Sequence, residues 1–216
     1  MNFGKIFGIC ALASGIALAG CSNQSNDQAV TSDAAAQTIK VGVMAGPEQA
    51  VAEVAGQVAK EKYNLTVELV EFNDYAMPNS AVSKGELDAN AMQHKPYLEK
   101  DSQEKGLNNL VIVGNTFVYP LAGYSPKEVD TSVAARAIDD VDLAVVNNNY
   151  AGQVGLTASE NGVFVEDKDS PYVNIIVARA DNKDSKAIQD FVKAYQTDEV
   201  EAEAKKQFKD GVIKGW

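Results

Sequence analysis

Phe72-Asn73-Asp74-Tyr75-Ala76-Met77-Pro78-Asn79, read together with Asp88-Ala89-Asn90-Ala91-Met92-Gln93-His94-Lys95-Pro96-Tyr97, decides the fold. Each stretch is a short turn carrying aromatic, amide or imidazole groups, and each follows an apolar β-type run, Val67 to Phe72 in one case and Leu87 to Met92 in the other. In an open α/β sheet such turns lie at the carboxyl ends of parallel strands, where the sheet presents its ligand crevice. Any one of these side chains alone could be a helix cap. Their convergence is the address of a binding site.

Outward from this pair the same unit recurs. Ile39 to Met44 is a β-branched strand stopped by Gly46-Pro47, with Pro47 suited to a first helical position and Glu48 to the first turn, where the helix dipole favours a carboxylate. Val51, Val54, Ala55 and Val58 repeat at helical spacing, Tyr63-Asn64 offers a left-handed cap, and Thr66 to Phe72 is the next strand. Strand, helix, strand predicts a parallel sheet. The backbone donors of Ala45 to Glu48 could hold a substrate carboxylate or simply turn the chain. Further on, Pro78 opens a short helix ending near Gly85, Asp88 to Met92 is a third strand, and Pro96 opens a helix ending at Gly106. Leu110 to Val113 and Phe117 to Leu121 are apolar enough for central strands, with Asn115 and Thr116 as a kink or crossing between them. Val141 to Val146 is another buried-type strand, followed by Asn147-Asn148-Asn149-Tyr150; Asn147 is a ligand candidate, and equally a turn residue. A short helix over Ala151 to Ala158 precedes the strand Tyr172 to Val177, where Asn174 interrupts an apolar run. A buried amide there needs a hydrogen-bond partner, which a bound amino acid would supply. Two amphipathic helices follow, from Asp184 and from Thr197-Asp198.

The amino-terminal segment is of another kind. Residues 1–20 carry one charge, Lys5, and an apolar run from Ile6 to Ala19 that is too short to span a bilayer but has the length of a secretory signal core. Leu18-Ala19-Gly20-Cys21 supplies small residues before a cysteine and resembles the lipobox at which Cys21 is lipidated and becomes the new amino terminus. Residues 21–38, rich in Ser, Asn, Asp, Gln and Ala, then read as a flexible tether. Of the two cysteines, Cys10 leaves with the signal and Cys21 carries the acyl chains, so neither is left for a disulfide, a metal or catalysis. A formal charge of −11 argues against nucleic acid as a partner and against docking on anionic lipid, leaving the acyl chains as the expected membrane contact. With one histidine and no Gly-rich phosphate loop, His-Glu-x-x-His or Gly-x-Ser-x-Gly, the chain lacks the parts of an enzyme, and neither catalytic residues, metal nor cofactor is expected.

The run Phe72 to Tyr75, the block Asn90 to Leu98, Gly114-Asn115-Thr116-Phe117-Val118-Tyr119-Pro120, the block Glu166 to Asn174 and the closing Gly211 to Trp216 together resemble the NLPA lipoprotein family, the methionine-binding lipoproteins of bacterial ABC importers. The resemblance covers nearly all of the mature chain. It implies an α/β, periplasmic binding protein-like (type II) two-lobed fold, with residues 39–124 plus 171–216 as the first lobe and residues 125–170 as a truncated second lobe. It implies L-methionine or a related small molecule as ligand, permease subunits as partners, and a membrane-anchored position facing the periplasm or cell exterior. Family contact positions fall on Tyr75, Met92, His94, Tyr97, Asn147 and Asn174, with Met92 standing where the family commonly has Phe. Several dozen family residues are missing between Ser125 and Arg136, including a turn and an Arg that grips the substrate carboxylate; neither Arg136 nor Arg179 matches that clamp. With so few residues, the second lobe is expected to be stunted and its segment Asp130 to Ile138 mobile. The other reading, from a different class, is a non-transporting envelope lipoprotein that no longer binds methionine.

Overall fold

The computed structural model describes residues 37–125, 143–147, 151, 156–167, 170–209 and 211–216. The signal segment, Cys21, most of the tether, Arg136 and the segment Asp130 to Ile138 lie outside the described residues. In chain order the elements are β1 (Gln37–Met44), α1 (Pro47–Tyr63), β2 (Leu65–Phe72), α2 (Pro78–Lys84), β3 (Ala89–His94), α3 (Lys95–Lys105), β4 (Leu110–Asn115), β5 (Phe117–Val118), β6 (Leu121–Tyr124) and β7 (Ala144–Asn147). After these come α4 (Ala158–Asn161), β8 (Phe164–Val165), β9 (Asn174–Arg179), α5 (Lys186–Tyr195), α6 (Asp198–Gln207) and β10 (Ile213–Lys214).

A five-stranded sheet in the order β2-β1-β3-β9-β4 carries the fold. Strand β1 pairs parallel with β2 and β3, whereas β9 runs antiparallel between β3 and β4. The expectation of a parallel sheet therefore holds for β1 to β3 and is corrected at β9, which enters antiparallel after the chain has left for β6, β7 and β8. Covered on both faces, the inner strands read as continuous apolar runs: Val41, Val43, Ala89, Ile176, Val177 and Ala178 are all fully buried. Helix α1 turns Val51, Ala52, Ala55, Val58 and Ala59 toward the sheet, and α5 adds Ile188, Phe191 and Tyr195 to the same core. Proline opens α1 and α2, and their ends are left-handed caps, Asn64 at φ 53° and Gly85 at φ 79°. Both boundaries follow the sequence.

The run Phe117 to Leu121 is not one strand. Pro120 has no N–H to donate, and on either side of it the chain joins different sheets: β5 pairs with β10 near the carboxyl terminus, and β6 pairs with β7 and β8. The change of sheet thus falls at Pro120. Strand β7 finds an antiparallel partner in β6, and Ala122, Tyr124, Ala151 and Ala158 form a small separate core beneath this sheet. Its other side carries Val145 and Phe164, both paired with Gly123 and about half exposed at 55% and 48%. Gly123 admits the Phe164 ring, since a Cβ there would stand 2.2 Å from it. Asn174 opens β9 rather than interrupting it.

Candidate functional site

The carboxyl ends of β1, β2, β3 and β4 point to one edge of the large sheet, and because β9 is reversed, its first residue reaches the same edge. A cavity of about 430 Å³ opens there, lined by Glu48, Tyr75, Met92, Gln93, His94, Tyr97, Tyr119, Leu121, Glu166, Tyr172 and Asn174. Its size is within the range of small-molecule sites, roughly 300–1,000 Å³. Each strand end delivers a part: β1 leads to Glu48, β2 to Tyr75, β3 to Met92 and His94, β4 through Thr116 to Tyr119, and β9 begins with Asn174, which lies opposite His94 in register.

His94 is the last residue of β3 and the cap of α3. Its Nδ1 accepts from the Tyr97 N–H at 3.2 Å, so in the neutral ring the remaining proton is on Nε2. Burial pushes its pKa below the ordinary histidine value, with Glu166 pulling the other way. The rings of Tyr97 and Tyr172 meet His94 edge-on at 6.4 Å and 5.0 Å, and Tyr75 meets Tyr97 at 5.8 Å. Tyr97 also donates its hydroxyl to the Tyr75 carbonyl at 3.0 Å, and Lys105 reaches the Ala76 carbonyl, so α3 holds the turn after β2 in place. Within that turn Asp74 accepts from Ala76 N at 2.8 Å, while Ala45 N donates to the Phe72 carbonyl at 2.9 Å and joins it to the β1–α1 turn.

Beneath the aromatic wall lies a buried amide network. Asn79 Nδ2 donates to Gln93 Oε1 (2.8 Å) and Asp101 Oδ2 (2.9 Å), and its Oδ1 accepts from Asn90 (2.9 Å) and Gln93 (2.5 Å). Gln93 Nε2 also donates to Asn90 Oδ1 at 3.0 Å, and Asp101 is paired with Lys105 at 2.6 Å. Every polar atom of the Asn79 side chain is used. The network ties β3, α2 and α3 together and fixes the strand that presents Met92 and His94. On the far wall, Glu166 accepts from Leu121 N at 2.9 Å and from the Ser170 hydroxyl.

The structure brings Tyr75, Met92, His94, Tyr97 and Asn174 to one cavity. Asn147 ends β7 opposite Leu121, a lining residue, but its side chain falls outside the described residues. Sequence reasoning placed Glu48, Gln93, Tyr119, Leu121, Glu166 and Tyr172 near the right elements without naming them as lining. Glu48 carried a signal, an acidic first turn after the β1 crevice; Glu166 and Tyr172 depend on a loop whose course no periodicity reveals. Arg179 is a structural residue: its guanidinium donates to the carbonyls of Val82 (3.1 Å) and Leu87 (2.7 Å) and pairs with Asp181 at 3.1 Å.

A ligand cavity at the carboxyl edge of a sheet with one reversed strand defines a substrate-binding protein of the periplasmic type II class. The NlpA lipoprotein model matches residues 39–128 and 126–216, and the chain belongs to that family of bacterial envelope lipoproteins, which are substrate-binding proteins and not enzymes. It is similar, at 55% identity over 276 residues taking in 100% of both chains, to a Haemophilus influenzae protein named "Probable D-methionine-binding lipoprotein MetQ". Among solved structures it is similar to the methionine binding protein MetQ, at 44% identity with a TM-score of 0.71, covering 83% of this chain and 98% of that one. A nutrient binding protein from Burkholderia cenocepacia bound to methionine is similar at 32% identity with a TM-score of 0.72, covering 82% of this chain and 100% of that one. The aligned span with the Haemophilus protein exceeds the 216 residues of this chain, and the two stretches matched by the family meet at residues 126–128, between β6 and β7.

Proposed function

We propose that this protein is the lipid-anchored substrate-binding subunit of an ABC amino-acid importer, taking methionine or a close relative at the cavity and delivering it to a membrane permease. The observation that carries the reading is the cavity itself: Met92 and the rings of Tyr75, Tyr97 and Tyr172 offer apolar and edge-on aromatic contacts to a thioether, and half-buried Asn174 sets an amide beside them. Sulfur against aromatic rings contributes about 0.3–1.5 kcal/mol per contact, enough to orient the side chain of an amino acid. The relatives' names and the methionine-bound neighbour support the same ligand. Anchoring is through Cys21, with the folded body on the periplasmic or outer side of its membrane. The chain divides at Pro120 into a larger lobe built on the five-stranded sheet and a smaller one on β6, β7 and β8, the latter shortened by the residues that relatives carry between them.

Calorimetric titration of the mature chain with a panel including both enantiomers of methionine, leucine and glutamine tests the reading. Saturable binding of methionine, with leucine weaker and glutamine weakest, is expected. No heat with methionine at millimolar concentration would overturn it and leave an envelope lipoprotein without a transport role.

A further inference from the structure

Tyr172 reaches the cavity from the stretch between β8 and β9, outside any strand or helix, and is 42% exposed. Regular pairing does not hold it there; a series of hydrogen bonds rooted on β6 does. Glu166 is fastened twice to Leu121, the first residue of β6: its N–H donates to the Leu121 carbonyl at 2.8 Å, and its Oε2 accepts from the Leu121 N–H at 2.9 Å. Oε1 of the same carboxylate accepts from the Ser170 hydroxyl, and Ser170 Oγ accepts in turn from the Tyr172 N–H at 3.0 Å. The Ser170 N–H closes the turn on the Asp167 carbonyl at 3.1 Å. At the far end of the series the Tyr172 ring meets His94 edge-on at 5.0 Å.

Each part suits its place. An ionised carboxylate has two oxygens, so it accepts from Leu121 and Ser170 at once, and a hydroxyl donates in one direction while accepting from the other. We infer that Glu166 and Ser170 are positioning residues that fix the Tyr172 ring in the ligand slot and thereby set the site's preference for a thioether. This rests on the substrate-binding reading above and deepens it by assigning a source of side-chain selectivity. The favourable contact of sulfur with a ring depends on where the sulfur stands relative to the ring edge, whereas apolar burial has no direction. A ring that turns freely therefore loses the sulfur's advantage before it loses the apolar contact.

The test is a calorimetric titration of the mature chain and its variants with L-methionine and with L-norleucine, which puts a methylene in place of the sulfur, together with proton NMR of His94, the one histidine in the chain. Tyr172→Ala sets the scale for losing the ring. Ser170→Ala, which removes the hydroxyl without adding bulk, is expected to weaken methionine about five-fold, to weaken norleucine less, and to move the His94 imidazole signals in the direction that Tyr172→Ala moves them. Ser170→Thr, which keeps a hydroxyl, is expected to restore affinity and signals alike. Because the two groups act in series, Glu166→Ala with Ser170→Ala should cost methionine no more than Glu166→Ala alone. If Ser170→Ala binds methionine as the unaltered chain does, or weakens norleucine as much as methionine, the inference is overturned and the binding-protein reading stands. Tyr172→Ala without effect on methionine overturns it in the same way. If the unaltered chain binds neither ligand, the binding-protein reading fails and the thioether preference with it.

Discussion

Replacing Asn79 by alanine should be among the most damaging single changes near the site, although Asn79 does not line the cavity. Its side chain is 0% exposed and holds partners on three sides. On truncation, Asp101 keeps Lys105 and Gln93 Nε2 keeps Asn90, but Asn90 Nδ2 and Gln93 Oε1 lose the only side-chain partners they have among the described residues. An orphaned buried polar group costs about 1–3 kcal/mol, so two of them predict a loss of about 2–6 kcal/mol, centred near 4. With a urea slope of about 2 kcal/mol per molar, the midpoint of unfolding falls by about 2 M at unchanged slope. Asn79→Ala combined with Gln93→Ala leaves only the Asn90 side chain without partners, two orphaned groups where the single changes leave two and one, and should cost clearly less than the sum of the single changes. A loss below about 1 kcal/mol, or strict additivity, would refute the network as a source of stability.

Asn174→Ala should weaken methionine binding by about 1–3 kcal/mol in the same calorimetric assay while shifting thermal unfolding little, since the side chain is only half-buried. Because burial lowers the His94 pKa in the folded state, the unfolded chain binds the extra proton more readily; stability is full above about pH 6.5 and declines as pH falls below it. His94→Asn, which retains a cap acceptor for Tyr97 N, should flatten that part of the stability profile, as urea titrations from pH 5 to 8 would reveal. Cys21→Ser should move the protein from the membrane pellet to the soluble fraction; a variant that still pellets would show another attachment.

The strand and helix boundaries legible in the sequence are those set by local chemistry. Pro47, Pro78 and Pro96 open helices, while Asn64, Gly85 and Gly106 close them in the left-handed region. The crevice was legible for a related reason: polar side chains directly after β2 and β3 have little to do in a sheet except face its edge. What stayed hidden depends on contacts far apart in the chain. Nothing in Asn174 to Arg179 announces that the strand enters the sheet reversed, because a strand buried on both faces looks the same in either direction. Asn79, Asn90, Gln93 and Asp101 read as turn and surface residues until α2 and α3 fold against β3 and close their bonds. Glu166 joins the cavity across a chain separation that no periodicity spans.

The reversed strand also sets an entropic condition on folding. Strand β9 completes the large sheet by wedging between β3 and β4, so that sheet can close only after everything from Asn115 to Asn174 has been looped out and brought back. Closing a flexible loop costs free energy in proportion to the logarithm of its length, about 0.6 kcal/mol for each doubling. Relatives that carry residues absent here close a longer loop for the same sheet. Shortening the excursion thus makes β9 slightly easier to dock, and the large sheet is indifferent to how much of the small one lies in between. The hydrogen bonds that hold β9 in the large sheet run to β3 and β4, neither of which belongs to the excursion.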